Sequence, residues 1–469
     1  MMKKLLSLLL LVPAIVCCNP AEQKEGAEPD FSGPDYEKAA PQLKNGDTVL
    51  ANSQLSEDFL TTVTYSDWRD ETSHKTKVYD YYGGFRGKDL NWDNWEKDWP
   101  NGDKPNAYSI RWEKDATVGS MTLKLSDKLG WSAETAIKEA SCYVDITNLV
   151  PNDEYEYEVV SETGKVMAKG SFKTKGSVHQ VFFKNKCRNA RDLGGWKTAD
   201  GKTVKYRKIY RGGRMNDPWE TMLNKAGKQE VLDEGIGAEL ELRGSDDYMT
   251  TPAVKELDHC HPCIEEGGKV MLGVTKPSAK NCARWLVYDE TSPWTAEQKA
   301  PYLTSEGRID KDKIGEITPT SDEYAAFQTA YKAKTKDCFM FVYNSVKAGK
   351  GVYFHCSLGR DRTGTLALLV LGLLGVDEGD ISKEYELTYF APKGWSVASS
   401  ETYKKYMNNR TAWAYQPTAK AIWDNYVENG KTFADGVAKF LLTKSNGQIS
   451  QTDIDAFRAK MLVPVPAAE

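Results

Sequence analysis

A run of ten residues, 355–364, combines the residue types that nucleophilic attack on a phosphate ester requires. It reads His-Cys-Ser-Leu-Gly-Arg-Asp-Arg-Thr-Gly. The apolar runs 351–354 and 365–371 flank it, which predicts a buried strand, a tight loop and a helix N-terminus in succession. Such a loop points backbone N–H groups at a bound anion, and the helix dipole adds partial positive charge. Cys356 would then lie beneath the phosphate.

Each residue of this loop is predicted to have its own role in catalysis or phosphate binding. Arg362 is predicted to bind two phosphate oxygens with its planar guanidinium, which lysine cannot do. The same positive field is expected to lower the pKa of Cys356, so that a thiolate attacks phosphorus and forms a cysteinyl-phosphate. Asp361 is the nearest proton donor for the leaving group and the acceptor in the hydrolysis step. This chemistry requires no metal or cofactor. The predicted substrate-binding positions are His355, Ser357, Leu358, Gly359, Arg360 and Thr363.

The specificity of the motif lies in the complete set of residues. In a chain with nine cysteines, a cysteine followed six positions later by arginine arises easily by chance. With the histidine, both glycines, Asp361 and Thr363 also required, residue frequencies reduce that chance to about one in a million or less. The alternative interpretation is a buried structural Cys356 at a strand end, with Arg362 on a solvated helix start.

The loop resembles the signature of cysteine-dependent tyrosine phosphatases, specifically the bacterial tyrosine/serine phosphatases, whose loop reads His-Cys-x-x-Gly-Lys-Asp-Arg-Thr-Gly. Residues 189–196 are similar to that family's Asn-x-Arg-Asp-Leu-Gly-Gly segment, and residues 210–212 to its Tyr-Arg-Ser. Residues 241–244 resemble its Asp-Leu-Arg-Ser, with Glu241 in place of aspartate, and residues 449–458 resemble its closing helix. The resemblance implies protein tyrosine phosphatase activity, with Asp361 as the general acid.

The resemblance spans most of residues 180–464, with unmatched insertions around 265–320, and leaves two points open. Arg360 stands where the family usually has the lysine linked to phosphoinositide handling. Phosphotyrosine is therefore the first expected substrate, and phosphoinositides or inositol phosphates are the alternative. Asp289, in an acidic run on a possible lid loop, is the rival candidate for the acid.

The N-terminus predicts export. Residues 1–17 combine two lysines with a short apolar run that ends in Cys17 and Cys18, which is typical of a signal peptide. A cysteine after such a run resembles the lipidation site of bacterial lipoproteins, with Cys18 preferred over Cys17, and plain secretion is the alternative. Residues 18–45 are poor in core-forming side chains and predict a flexible tether. We therefore expect a membrane-anchored lipoprotein on the periplasmic or cell-surface side.

Residues 46–175 show the period-2 alternation of β-strands, for example in 121–125 and 155–159. Residues 149–155 resemble the tyrosine corner of fibronectin type III domains, so we expect an all-β fibronectin-III-like sandwich. An insertion around 84–106 carries three tryptophans that form either a binding face or ordinary packing: Trp92, Trp95 and Trp99.

Residues 178–469 alternate strand and helix patterns. This alternation predicts an α/β phosphatase domain with a mostly parallel central sheet flanked by helices, and the loop at the carboxyl end of a central strand. Predicted strands cover 181–183, 239–242 and 351–354. A helix is predicted over 321–346 with a break near 338–340, and another over 363–374 that ends at Gly375.

The remaining features limit the partners. The net charge is −5 with no long basic run, so nothing favours nucleic acid. The expected partners are a phosphorylated protein or phosphoinositide, and a membrane through the lipid.

Residues 259–263 read His-Cys-His-Pro-Cys, which is compatible with a zinc or copper site, a local disulfide or free side chains on a strand. Two other functional classes stay open: a non-catalytic surface binding lipoprotein and a rhodanese-like sulfur transferase.

Overall fold

The computed structural model describes residues 39–62, 103–139, 141–184, 187–216, 223–243, 251–261, 279–288, 292–305, 307, 310, 312–330, 335–390, 416–445 and 447–464. The predicted signal peptide, most of the tether and several singled-out residues lie outside this part of the chain: Trp92, Trp95, Trp99, Cys263 and Asp289.

The N-terminal region forms two sheets around one apolar core. Its strands are β1 Thr48–Leu50, β2 Tyr108–Arg111, β3 Met121–Asp127, β4 Ser132–Ile137, β5 Tyr143–Ile146, β6 Glu154–Ser161 and β7 Val166–Lys175. One sheet has the order β1-β7-β6-β3-β4, and β2 pairs with β5 in the other. Ile110 from the small sheet and Val159 from the large one share the core. The Tyr155 hydroxyl accepts the N–H of Val150 at 2.8 Å, as the predicted corner requires.

The same region also contains a helix, α1 Gln54–Thr62, which the alternation pattern did not predict. Its residues Leu55, Phe59 and Leu60 belong to the core of the C-terminal region. The ring of Phe59 meets that of Phe390 edge to face, with centroids 5.2 Å apart. The first part of the chain is therefore packed into the second.

A five-stranded sheet organises the C-terminal region. Its strands are β8 Arg191–Asp192, β10 Ile209–Gly212, β11 Ile236–Glu241, β12 Asp258–Cys260 and β13 Gly351–His355, and a separate pair is formed by β9 Thr203–Val204 and β14 Leu462–Val463. The order is β12-β11-β13-β10-β8, and only β8 is antiparallel to its neighbour. This mostly parallel sheet agrees with the predicted α/β class. All five residues of β13 are buried, as expected for a central strand covered on both faces.

Helices surround this sheet. They are α2 Lys225–Asp233, α3 Ala279–Tyr288, α4 Ala296–Lys299, α5 Ser321–Ala330, α6 Thr335–Lys347, α7 Asp361–Leu374, α8 Glu378–Glu386, α9 Gln416–Tyr426, α10 Phe433–Lys444 and α11 Gln451–Met461. Helix α7 is buried from Thr363 onwards and ends at Gly375, whose φ of 86° is the left-handed conformation that glycine adopts at C-caps. Among the described residues, no helix is long and apolar enough to span a membrane.

Two predicted elements were wrong. Residues 181–183 do not form a strand, because the backbone N–H of Phe182 donates to the side chain of Asn148 at 2.8 Å instead of to a neighbouring strand. Residues 338–340 lie inside α6 and do not interrupt a helix. Helices α5 and α6 are separate, with 331–334 between them outside the described residues.

A buried ion pair joins the two regions. Arg207 donates to the carboxylate of Asp127 at the end of β3 and lies over the ring of Trp131 at 4.2 Å from its centroid. The indole N–H of Trp131 donates to the carbonyl of Asp233 at 2.6 Å. The strands of the N-terminal region therefore attach near the amino ends of β10 and β11, away from the carboxyl ends of the sheet strands.

Candidate active site

Three parallel strands end together where the loop begins. In the sheet register, His355 pairs with Gly212 on one side and with Glu241 on the other. Cys356 follows directly, and α7 starts at Asp361. The loop therefore lies between the end of a central strand and a helix N-terminus, which is where open parallel sheets bind ligands.

Two glycines allow the loop to turn against the neighbouring strand. Gly359 has φ of 67°, a conformation that residues with a Cβ rarely adopt. A Cβ there would lie 2.2 Å from the carbonyl carbon and oxygen of Gly212. A Cβ on Gly212 would in turn lie 2.0 Å from the hydroxyl of Tyr353. No other residue type fits this approach without moving backbone.

The loop carbonyls are held on its outer side by residues of the N-terminal motif. The side-chain amide of Asn189 donates to the carbonyls of Leu358 at 3.0 Å and Gly359 at 3.1 Å, and Arg211 donates to the same carbonyl of Gly359. Because C=O and N–H point to opposite sides of a planar peptide, these bonds direct the loop N–H groups inward. Asn189 itself has φ of 58°, which asparagine tolerates.

A buried carboxylate fixes the two arginines behind the loop. Glu384 of α8 accepts from Arg191 at 2.8 Å and from Arg211 at 2.6 Å, and all three side chains are buried. Burial raises the pKa of Glu384, but the two guanidiniums outweigh it and lower that pKa overall. The family motif contains both arginines. Glu384 was missed, since a glutamate on an amphipathic helix gives no signal in the sequence.

The sulfur of Cys356 lies in a polar surrounding although the residue is only 4% exposed. Burial raises its pKa, but the charge of Arg362 and the hydroxyl and backbone N–H of Thr363 outweigh burial, so that the pKa lies below its ordinary value. The Thr363 hydroxyl is buried and has no hydrogen-bond partner among the described residues, so it is available to the charged sulfur. This is the field that the sequence predicts for a nucleophilic thiolate.

Arg362 is directed to the loop by the neighbouring strand. Its guanidinium donates to the carbonyl of Leu242, one residue past β11, at 2.5 Å. The guanidinium therefore does not extend into bulk solvent, and its charge reaches Cys356. A second arginine that sequence reasoning missed, Arg214, donates to the hydroxyl of Ser357 at 2.7 Å. Its only sequence signal is its position four residues after Tyr210 in the second family motif.

Asp361, the predicted general acid, forms an ion pair with its neighbour Arg360. Arg360 donates to both carboxylate oxygens of Asp361, at 2.9 and 2.7 Å. The hydroxyl of Tyr385 donates to the same carboxylate at 3.0 Å. Arg360 is 7% exposed, so its side chain lies along the loop instead of extending from it. Tyr385 was not predicted, because nothing in the sequence of α8 distinguishes it from a core aromatic.

His355 holds the start of the loop from behind. Its Nε2 lies 2.8 Å from Glu239 Oε1 and 3.8 Å from Glu241 Oε2. Burial lowers the pKa of His355, but Glu241 and Glu239 outweigh burial and raise it. Burial likewise raises the pKa of Glu241, yet His355 and Arg243 bring it down to about 2. One possible ligand atom from each of Glu239, Glu241 and His355 lies within 4.8 Å of the others. The carboxylate oxygens of the two glutamates already accept hydrogen bonds from Arg243 and Ala253.

The region around residues 259–263 is partly described. Asp258–Cys260 forms the edge strand β12, so the interpretation of these residues as side chains on a strand agrees with the structure for His259 and Cys260. The six cysteines whose thiols the structure describes are all buried: Cys142, Cys187, Cys260, Cys282, Cys338 and Cys356.

Comparison with known proteins agrees with this geometry. The profile of the tyrosine phosphatase family matches residues 184–463, which is more than half of the chain. A protein of Cupriavidus necator named "Putative tyrosine-protein phosphatase" is 24% identical over 205 residues, covering 42% of this chain and 59% of that relative. The chain thus spans about three fifths of the length of the curated relative it matches.

Proposed function

We propose that this chain, which belongs to the tyrosine phosphatase family, hydrolyses phosphomonoesters through a covalent phosphate on Cys356. The observation that carries the proposal is the lowered pKa of this thiol within a loop that meets a helix N-terminus. A buried structural cysteine in apolar surroundings would have a raised pKa, as Cys187 does, at about 12.

The first step is in-line attack of the Cys356 thiolate on phosphorus. The S–P bond forms while the P–O bond to the leaving group breaks, and Asp361 gives its proton to the departing oxygen. Arg362 and the inward N–H groups of the loop bind the equatorial phosphate oxygens. The Tyr385 hydroxyl orients the acid, since it lies 3.0 Å from the Asp361 carboxylate.

In the second step water attacks the phosphorus of the cysteinyl-phosphate. Asp361 now accepts a proton from the water, the S–P bond breaks, and inorganic phosphate leaves with the thiolate restored. The side chains that hold the loop, Asn189, Arg211 and His355, keep its geometry through both steps without touching the reacting atoms. The mechanism uses protein groups and water alone.

Phosphotyrosine is the first candidate substrate. Arg360 occupies the position of the family's lysine, and its charge is directed to Asp361 and not toward a second phosphate. This pairing supports an aryl phosphate with one charged group over an inositol phosphate with several. Phosphoinositide or inositol phosphate hydrolysis is the second candidate, supported by Arg214 beside Ser357 at the loop.

Export and lipid anchoring are further proposals from the sequence of residues 1–18. They would place the catalytic region outside the cytoplasm on a tether, preceded by a fibronectin-III-like sandwich whose two sheets and tyrosine corner support that assignment. Metabolic labelling with a fatty-acid analogue tests the anchor. We expect label on the wild type and on Cys17→Ser but not on Cys18→Ser. Equal label on all three would contradict lipidation at Cys18.

The activity is tested by turnover of an aryl phosphate by the full chain. The full chain is needed because α1 belongs to the catalytic core. We expect Cys356→Ser to abolish turnover and Cys142→Ser, which removes another buried thiol, to preserve it. Phosphate binding without turnover in the wild type would support the binding-lipoprotein alternative. Persulfide formation from thiosulfate on Cys356 would support sulfur transfer.

A further inference from the structure

Two histidines on the outer edge of the sheet lie side by side. His259 is in β12, directly opposite Glu239 in the register, and His261 follows one residue past the strand. Side chains at positions i and i+2 of an extended segment point to the same face. Their ring centroids are 6.1 Å apart, with the planes inclined at 58°.

The ring of His261 is buried, and no described residue forms a hydrogen bond with it. The residue is 3% exposed, and neither Nδ1 nor Nε2 has a partner in the described part of the chain. Nε2 of His259 is also buried and without a partner there. Buried polar side chains are nearly always hydrogen-bonded, and an orphaned one calls for an ion or a water. Here two adjacent imidazoles each have a buried ring nitrogen without a hydrogen-bond partner among the described residues.

We propose that His259 and His261 bind one transition metal ion, Zn²⁺, through their ring nitrogens. Imidazole nitrogen is a preferred zinc ligand, with Zn–N bonds of about 2.0–2.1 Å. Two rings that share an ion then have centroids roughly 5–6 Å apart, so the observed pair needs only a small rotation. The site is separate from the catalytic loop, because β11 lies between β12 and β13.

The charge around the pair favours a cation. The carboxylate of Glu239 is the cross-strand neighbour of His259, and its Oε1 and Oε2 accept one protein contact each. Glu239 therefore contributes negative charge on the strand next to the two imidazoles, while its oxygens bind Ala253 and His355. Glu241 adds a second negative charge on the same strand, balanced by Arg243.

The test is zinc binding by the full chain carrying Cys356→Ser, which removes the reactive thiolate as a competing ligand. After treatment with a chelator, calorimetric titration with Zn²⁺ should show one site, and Zn²⁺ should raise the unfolding temperature. His259→Gln, at a half-buried position, and His261→Asn should each weaken binding at least tenfold. His74→Gln, a histidine outside the described residues, serves as the matched control and should bind as the parent does.

Cobalt gives a second measurement that does not depend on affinity. The Co²⁺ complex should show visible bands of nitrogen and oxygen ligation without the intense near-ultraviolet band of a thiolate ligand. Loss of the visible bands in His259→Gln, with cooperative unfolding retained, would support the site even if His261→Asn fails to fold. Zinc affinity unchanged in His259→Gln, no zinc binding by the parent, or a thiolate band would each overturn the proposal.

Discussion

Arg360 and Asp361, neighbours in the active loop, form a two-point ion pair with N–O distances of 2.9 and 2.7 Å. The pair places the residue that replaces the family's lysine directly on the proposed acid. In the proposed mechanism, one contact therefore links the residue that affects substrate preference to the residue that transfers the proton. The contact is partly solvent-exposed at Asp361, where the side chain is 32% exposed, so an approaching leaving group can reach the carboxylate.

If Asp361 protonates the leaving group, its removal should affect poor leaving groups most. In Asp361→Asn we expect kcat for phenyl phosphate to fall by about 10²–10⁴. The fall should be much smaller for p-nitrophenyl phosphate, whose leaving group needs little protonation. Asp424→Asn, a surface residue paired with Lys420, is the control and should match the wild type. An equal loss on both substrates would remove Asp361 from the acid role.

Arg360→Lys tests the link between the ion pair and substrate choice. A lysine cannot make the two-point contact with Asp361, so its charge becomes available to a second phosphate. We expect the ratio of kcat/KM for an inositol phosphate to that for a phosphotyrosine peptide to rise a few-fold. Competition assays with both substrates measure this ratio. A ratio unchanged from the wild type would show that Arg360 does not set preference.

Thr363 should be responsible for part of the low thiol pKa. Thr363→Val removes a hydroxyl that helps to lower the pKa of Cys356, so that pKa should rise and alkylation by iodoacetamide should need higher pH. Thr365→Val is the matched control, because the Thr365 hydroxyl is also buried but donates to the carbonyl of Asp361 at 2.9 Å. Identical alkylation profiles for the two variants would contradict the role of Thr363.

Glu384→Gln leaves two buried guanidiniums without their carboxylate. Breaking such a pair typically costs about 3–5 kcal/mol, and we expect a loss of that order in the free energy of unfolding by urea. Activity should fall with it, since Arg211 holds the carbonyl of Gly359. Glu428→Gln removes an exposed carboxylate paired with Lys439 and should leave stability unchanged. Equal stability of the two variants would show that Glu384 does not hold the loop.

The pair of His355 and Glu239 should make stability depend on pH. The pKa of His355 is raised above its ordinary value near 6.5, so its stabilisation is complete below that pH. It is lost as the pH rises through the folded-state pKa. The free energy of unfolding should therefore decrease from pH 6 into the alkaline range, and less steeply in Glu239→Gln. Glu158→Gln on the sandwich surface should follow the wild type, and parallel profiles for all three would contradict the assignment.

The loop and its sheet could be predicted because their signals are local. Residues 351–354 read as an apolar strand, and the observed strand β13 extends one residue further, to His355. Gly375 ends α7 as the sequence predicts. The capping box that Ser450 and Asp453 form at the start of α11 is a local signal of the same kind. In each case, neighbouring residues determine the outcome.

Other features depend on contacts that are distant in the sequence. Glu384 lies 193 residues from Arg191, and no pattern around it indicates a buried charge. Residues 181–183 look like a strand, but the backbone of Phe182 is bound by Asn148, which lies 34 residues away. Helix α1 was not predicted from the alternation pattern, and it packs against Phe390, which is distant in the sequence. Such pairings are determined by tertiary structure, so composition and periodicity do not show them.

The central claim is that Cys356 carries the phosphate during turnover, and trapping that intermediate tests it most directly. The full chain is mixed with an aryl phosphate, quenched in acid within the first turnover, digested and analysed by mass spectrometry. The account predicts that the peptide containing Cys356 gains one phosphoryl group, and that Cys356→Ser shows neither this adduct nor turnover. Turnover without the adduct, or at an undiminished rate in Cys356→Ser, would contradict it.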